Sequence, residues 1–464
     1  MAAADGEPVE AQQLIAAGLT LLARCPALVR RLSGKRAALL LPTSPAFLTA
    51  LAAAEGRGAV LINPLASPAE VAYQIADADV GVVFTIAPLS LKLPEQIMRV
   101  LLDEAPRTAR VVDGTHSIQV DLGSHAGLVI EGDSESDGRD EECAVVYTSA
   151  MAGRALGAIL THRGLIANAR ATIEAAGITS ADHSLALLPF AHLFGLSVTL
   201  SAPLFAGARV TTMERFNASR AIELIRDQGV TLFTAVPSVF AALLAVLDRT
   251  GTALDAPALR VCICGGAPLA AELQDRWADA TGVELRQGYG LTEASPVALC
   301  NRADTPNRHG MLGIPLPGVR VSIRDADTFA TLDHGEPGEI CVAGDGVFAG
   351  YVSGGEHGLA VQDGWLRTGD LGSADADGCV RFRGLLKSMF TRNGFNIYPR
   401  EIGRVIGEMP GVRRVEVRAI PDAMRENDIA VDVLGDVAIE DVKSWCEAML
   451  SVYKQPSEIR VRSS

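Results

Sequence analysis

The first 290 residues alternate between short apolar runs and capped helical stretches, and that alternation limits the fold more than any other feature. Residues 36–42 (RAALLLP) form an apolar run, and 44–57 read as an Ala-rich helix opened by Ser44-Pro45 and closed by Gly56 and Gly58. A second strand is expected at 59–62, a capped helix at 67–78 and a third strand at 80–84. Strand, helix and strand at this spacing require crossover helices, and therefore a parallel sheet. The rhythm returns as helix 219–228, strand 230–234, helix 237–249, strand 259–264, helix 270–281 and strand 283–287. The apolar segment 185–210 is broken by Pro189, His192 and Pro203, too polar for the roughly 20-residue apolar run of a membrane span, and reads as a buried helix beside a cleft.

From Gly313 the pattern shortens to strands at 319–323, 338–342 and 379–382 between Gly, Pro and Asp turns, the signature of a small β-barrel or sandwich element. Beyond 387 a compact α+β unit is expected, with helices at 399–408 and 439–450 and strands at 412–420 and 429–434. The expected architecture is α/β: a large N-terminal domain of parallel α/β sheets with a small β element, residues 1–386, followed by a small α+β lid, 387–464. Residues 133–142 (DSESDGRDEE) read as a solvated acidic linker.

Charge narrows the partners. The 464 residues carry a net charge of −14, which argues against nucleic acid or anionic lipid, both of which need a basic footprint. Residues 379–464 hold 14 Lys+Arg against 12 Asp+Glu, so the surplus of acid lies in the body. With 48% apolar and 21% charged residues, disorder is excluded. Eight scattered cysteines show no zinc spacing and read as buried reduced thiols. The first residues lack a basic n-region before an apolar stretch, and a cytoplasmic protein without a transmembrane segment is the expectation.

Four ordered segments carry chemistry: GGAPL (265–269), QGYGLTEAS (287–295), GWLRTGDL (364–371) and KSMFTRNGFNIYPREI (387–402). Together they resemble the adenylate-forming superfamily of acyl-CoA synthetases, peptide-synthetase adenylation domains and luciferases, over residues 37–462. The resemblance implies that a carboxylic acid attacks ATP to give an acyl-adenylate, from which a thiol then displaces AMP. It places Tyr289 against adenine, with Gly288 and Gly290 allowing close backbone approach. Thr292 would donate to the nucleotide phosphate, and Glu293 would hold Mg²⁺ through hard oxygens. Asp370 would accept from both ribose hydroxyls. His192, in LPFAHLFG (188–195), is expected near the acid's carboxylate, on the helix that walls the acyl pocket. Gly207, Phe233, Pro237 and Phe240 are looser candidates for the same pocket. Gly266, Ala267, Pro268 and Gly394 join the nucleotide set, and Lys387 joins the catalytic set. The implied partners are a carboxylic acid or acyl-thioester, with AMP or an acyl-adenylate, ATP and Mg²⁺, and coenzyme A or the pantetheine of an acyl carrier protein. The thiol would enter at the turn NGFN (393–396).

The phosphate loop departs from the family. YTSAMAGRALGAILTH (147–162) keeps the flanks of the family's loop, with Thr148, Ser149 and Arg154 as remaining donors and Gly153 in the nucleotide set. Where the family has Gly-Thr-Thr and Pro-Lys, this chain has Ala150, Met151, Ala152, Ala155 and Leu156. The Arg that approaches the nucleotide is replaced within GLLKS (384–388), and the chain has no Gly-Lys pair after YKQP (453–456); Lys454 is not that lysine. The AMP half of the site is kept and the pyrophosphate half is stripped. Three readings stay open: an AMP-forming acid–thiol ligase with an altered loop, a degenerate module that binds an adenylate or acyl-thioester, and an acyl-transfer enzyme that does not use ATP.

Overall fold

The computed structural model describes residues 1–54, 56, 58–123, 142–148, 155–354, 359–386, 389–422 and 424–462. Two large sheets dominate. In the first, Arg36–Leu40 lies between Ala59–Leu61 and Val80–Thr85, all parallel, and Glu142–Thr148 continues the parallel order beside Ala59–Leu61. In the second, His183–Ala186, Leu232–Ala235, Val261–Cys264 and Leu285–Gly290 run parallel. Crossover helices cover the faces, as the alternation requires. Helix Pro68–Asp77 shows why its boundary is readable: Ser67 Oγ accepts from the Glu70 amide at 3.2 Å while Glu70 Oε2 accepts from the Ser67 amide at 2.8 Å, closing a capping box.

The small β element is a five-stranded sheet built from Arg320–Arg324, Gly338–Ala343, Val361–Gln362, Trp365–Ala374 and Val380–Leu385, with antiparallel pairing throughout. The C-terminal unit pairs Val412–Asp422 with Glu426–Gly435 and, in parallel, Glu426–Gly435 with Glu458–Arg462, under helices Pro399–Gly407 and Ile439–Met449. It has its own core around Ile402, Ile406, Val431, Val442 and Cys446.

Two expectations need correction, and a third falls almost wholly outside the described residues. The segment 185–210 is not one helix. It is strand His183–Ala186, an irregular stretch, a π-helix at Phe194–Ser201 and a short α-helix Ala202–Phe205. An apolar run buried on all sides has no periodicity to betray where a helix begins. The acidic stretch 133–142 lies outside the described residues except for Glu142, which starts a strand and pairs with Arg36, Oε2 to Nη2 at 2.9 Å. Phe233 and Phe240 do not line the cleft: they pack edge to face at 5.3 Å and against Trp277 in a core of their own. All eight cysteines are free, seven of them buried. No single helix among the described residues is long and apolar enough to cross a membrane.

The C-terminal unit is tied to the body by a buried ion triad. Lys454 Nζ donates to Glu70 Oε1 of the body and to Glu401 Oε1 of its own unit, each at 2.8 Å, and Ser67 Oγ donates to the Met449 carbonyl at 3.1 Å. Removing one partner of so buried a set leaves an uncompensated charge, which costs about 3–5 kcal/mol.

Candidate functional site

A cavity of about 550 Å³ opens where the large sheets, the small sheet and the C-terminal unit meet. That volume is in the range of small-molecule sites. Strand Leu285–Gly290 and the turn of 3-10 helix Thr292–Ala294 deliver Tyr289, Thr292 and Glu293 to its wall. The strand pairs antiparallel with Val297–Cys300, and a Cβ on Gly290 would collide with the Pro296 carbonyl, so this position requires glycine. Gly288 lines the cavity beside them.

From the small sheet, strand Trp365–Ala374 brings Asp370 to the same wall, where its Oδ2 accepts from the Tyr289 hydroxyl at 2.6 Å. Burial raises the Asp370 carboxyl to about 6, helped by the charges of Glu339 and Glu293 and opposed by the Tyr289 hydrogen bond. It is therefore ionised at neutral pH with lone pairs to spare. Glu293 is also buried, which raises its carboxyl, but its Oε1 accepts from the Tyr351 hydroxyl at 2.7 Å and the Thr148 hydroxyl at 3.4 Å, which oppose that rise. No group of three or more His, Cys, Asp or Glu side chains converges among the described residues. A single buried carboxylate flanked by the hydroxyl-bearing Thr148 and Thr292 nevertheless suits Mg²⁺, which takes one or two carboxylates and completes its shell with water and phosphate oxygens.

His192 lines the cavity just before the π-helix, not on it as expected. Burial lowers its pKa to about 4, so it is neutral at pH 7. Its Nδ1 accepts from the Phe194 amide at 3.2 Å, which leaves the proton on Nε2. Gly266, Ala267 and Pro268 form the turn after strand Val261–Cys264 and also line the cavity. Gly394, at φ 76°, sits in the turn between strands Phe390–Arg392 and Phe395–Ile397 and closes against that body turn; a Cβ there would stand 2.5 Å from Val236 Cγ1. Ser149, Gly153 and Lys387 lie outside the described residues.

The structure thus brings Thr148, His192, Gly266–Pro268, Gly288–Gly290, Thr292, Glu293, Asp370 and Gly394 to one cavity. Sequence reasoning missed Tyr351, the partner of Glu293, which ends the two-residue strand Gly350–Tyr351 with no motif around it. It also missed Asn427, and it set Lys454 aside although Lys454 and Glu70 border the cavity together. Leu156, first residue of strand Leu156–Thr161, faces the same space.

Comparison with known proteins bears on the family and the fold. The family described as "AMP-binding enzyme" matches residues 31–352. A feruloyl-CoA synthase of Amycolatopsis sp is 31% identical, with the match covering 92% of this chain and 84% of that protein. A long-chain-fatty-acid–CoA ligase of Bacillus subtilis is 27% identical over 92% of this chain and 82% of its own. The ATP-bound structure of MatB from Rhodopseudomonas palustris superposes with a TM-score of 0.68 at 26% identity, covering 99% of this chain and 90% of that one.

Proposed function

We propose, from the premise that this chain belongs to the AMP-binding enzyme family of adenylate-forming acyl-CoA ligases, that it holds a carboxylic acid as its acyl-adenylate and makes that adenylate from ATP only poorly. The observation that carries the reading is the contrast inside one cavity: Asp370 and Tyr289, bonded at 2.6 Å, and the nearby Glu293 are in place, whereas Leu156 presents an apolar side chain to the same space. In this reading the Tyr289 ring stacks on adenine, Asp370 accepts from the ribose, Thr292 donates to the α-phosphate and Glu293 holds Mg²⁺, which would neutralise phosphate charge. His192, neutral and with its proton on Nε2, donates toward the acyl carboxylate or its adenylate oxygen. Residues 1–386 act as the AMP-binding body and 387–464 as a lid, whose turn at Gly394 admits the acceptor.

Apolar groups at 151, 152 and 156 offer nothing to the β- and γ-phosphates. Each missing preorganised donor costs about 10²–10³ in rate, so adenylation suffers while adenylate binding does not. Acyl transfer from an adenylate supplied ready-made, to coenzyme A or a carrier pantetheine, is the activity this geometry favours. The lid turn closed against Gly266 supports it over a pure binding module. Titration calorimetry with a non-hydrolysable acyl sulfamoyl adenosine tests the reading: micromolar or tighter binding, with AMP as competitor, is expected. Absence of binding by both nucleotides overturns it.

A further inference from the structure

Three carboxylates border the cavity and each is engaged: Glu70 by Lys454 at 2.8 Å, Glu293 by Tyr351 at 2.7 Å and Asp370 by Tyr289 at 2.6 Å. His192 cannot accept a proton on Nε2, which already carries one, and its Nδ1 is occupied by the Phe194 amide. A nucleophile that must lose a proton before attacking an adenylate finds no free base among them. Glu426 is different. It opens strand Glu426–Gly435 at φ 70°, a left-handed backbone that glycine adopts freely and glutamate only at a cost. Both carboxylate oxygens are buried, with no partner in hydrogen-bond geometry among the described residues.

Its place is the seam between lid and body. The polar groups that bear on it are the Thr391 hydroxyl and the Gly394 amide of the lid turn, and from the body its charge is felt by the thiol of Cys264, the last residue before the Gly265–Pro268 turn. Neighbouring Asn427 lines the cavity and donates to the Thr391 carbonyl at 3.0 Å. No cation among the described residues pairs with it. Arg392 and Arg425 both pair with Asp428, at 2.7 Å and 3.1 Å, and Asp422, opposite in the ladder, accepts from the Met424 and Arg425 amides. Burial raises this carboxyl, opposed by the Thr391 hydroxyl and the Gly394 amide, and a raised carboxyl holds a proton more readily, as a general base must.

We propose that Glu426 is the general base of acyl transfer, taking the proton of a thiol that arrives along the seam between the turns at 265–268 and 393–396. The inference rests on the function proposed above, because it needs an acyl-adenylate in the cavity. In the step, the thiol S–H bond breaks and its proton goes to the Glu426 carboxylate. The sulfur forms a bond to the acyl carbon, and the bond from that carbon to the phosphate oxygen breaks with its electron pair, releasing AMP. Glu426 then gives its proton to solvent.

The test is single-turnover transfer from bound hexanoyl-adenylate to coenzyme A between pH 5.5 and 9, in the wild-type chain, Glu426→Gln and Glu426→Gly. The first variant keeps the shape and cannot take a proton; the second relieves the left-handed backbone, so loss of folding is not its expected effect. Both are expected to lose about 10²–10⁴-fold in transfer rate at pH 7, the usual share of a general base. The deficit should close toward pH 9 as the thiol, with an ordinary pKa of about 8.5, ionises by itself. Affinity for hexanoyl sulfamoyl adenosine should stay within about threefold, which separates a proton-transfer role from a structural one. Transfer by Glu426→Gln within threefold of wild type at pH 7, a deficit that is constant with pH, or no transfer at all from a wild-type chain holding the adenylate would each overturn the assignment. Failure of the wild-type chain to bind the sulfamoyl adenosine is the separate failure of the underlying function, and removes this step with it.

Discussion

Replacing Asp370 by alanine is expected to weaken binding of AMP and adenosine by about 10²–10³-fold, measured by calorimetry, without unfolding the chain. The side chain stands on a strand of the small sheet and offers a buried carboxylate, already oriented by the Tyr289 hydroxyl at 2.6 Å. Two hydrogen bonds from ribose hydroxyls to a charged acceptor are worth about 1.5–3 kcal/mol each, and their combined loss accounts for the factor. The pH dependence follows from the raised carboxyl. Because burial sets the Asp370 pKa to about 6, the acceptor is fully charged above that value and is lost as pH falls through it. Adenosine, which has no phosphate titrating in that range, should therefore bind with constant affinity above about pH 7 and weaken below 6. Tyr289→Phe keeps the ring for stacking but removes the bond that holds this pKa down, so the midpoint should move upward. Unchanged adenosine affinity in the alanine variant would remove Asp370 from the nucleotide site.

The second large effect is a gain. Restoring the loop with Met151→Thr, Ala152→Thr and Leu156→Lys is expected to raise ATP-dependent adenylation at least about 100-fold, read as pyrophosphate released in the presence of an acid. The gain centres on position 156. It pairs with Thr148 at the start of its strand and lines the cavity that Glu293 and Asp370 share, so an ammonium at 156 would reach the space where a nucleotide's phosphates must lie. A single preorganised donor contributes about 10²–10³ to such a transfer, and the three changes act on the same phosphates, so their effects are not additive. No gain would mean that the loop serves some purpose other than phosphate.

Much of this site was legible because its motifs are local. QGYGLTEAS places a strand, a close backbone approach and two polar side chains within nine residues, and the structure delivers them to one wall in that order. The helix at 68–77 announced itself through Ser67 and Pro68, and the structure adds a capping box between Ser67 and Glu70. The rest depends on distance in space. Tyr351 is 58 residues from Glu293 and has no motif, so only the folded chain shows that its hydroxyl holds that carboxylate. Strand Glu458–Arg462 escaped notice because every second residue is charged and it lies at the edge of its sheet. The π-helix hid inside an apolar run whose burial on all sides erased its period. Glu426 reads as one more surface acid of a charged tail; its significance comes from a φ of 70° and from the docking of the lid, and neither is written in residue types.

The most direct measurement is exchange of labelled pyrophosphate into ATP by the unmodified chain, across fatty, aryl and amino acids, with the loop-restored variant as internal reference. Retention of the adenylate half and loss of the pyrophosphate half predict tight binding of the acyl sulfamoyl adenosine together with exchange at or below about one hundredth of the reference rate. Exchange by the unmodified chain as fast as by the restored variant, with any acid of the panel, would contradict that division of the site.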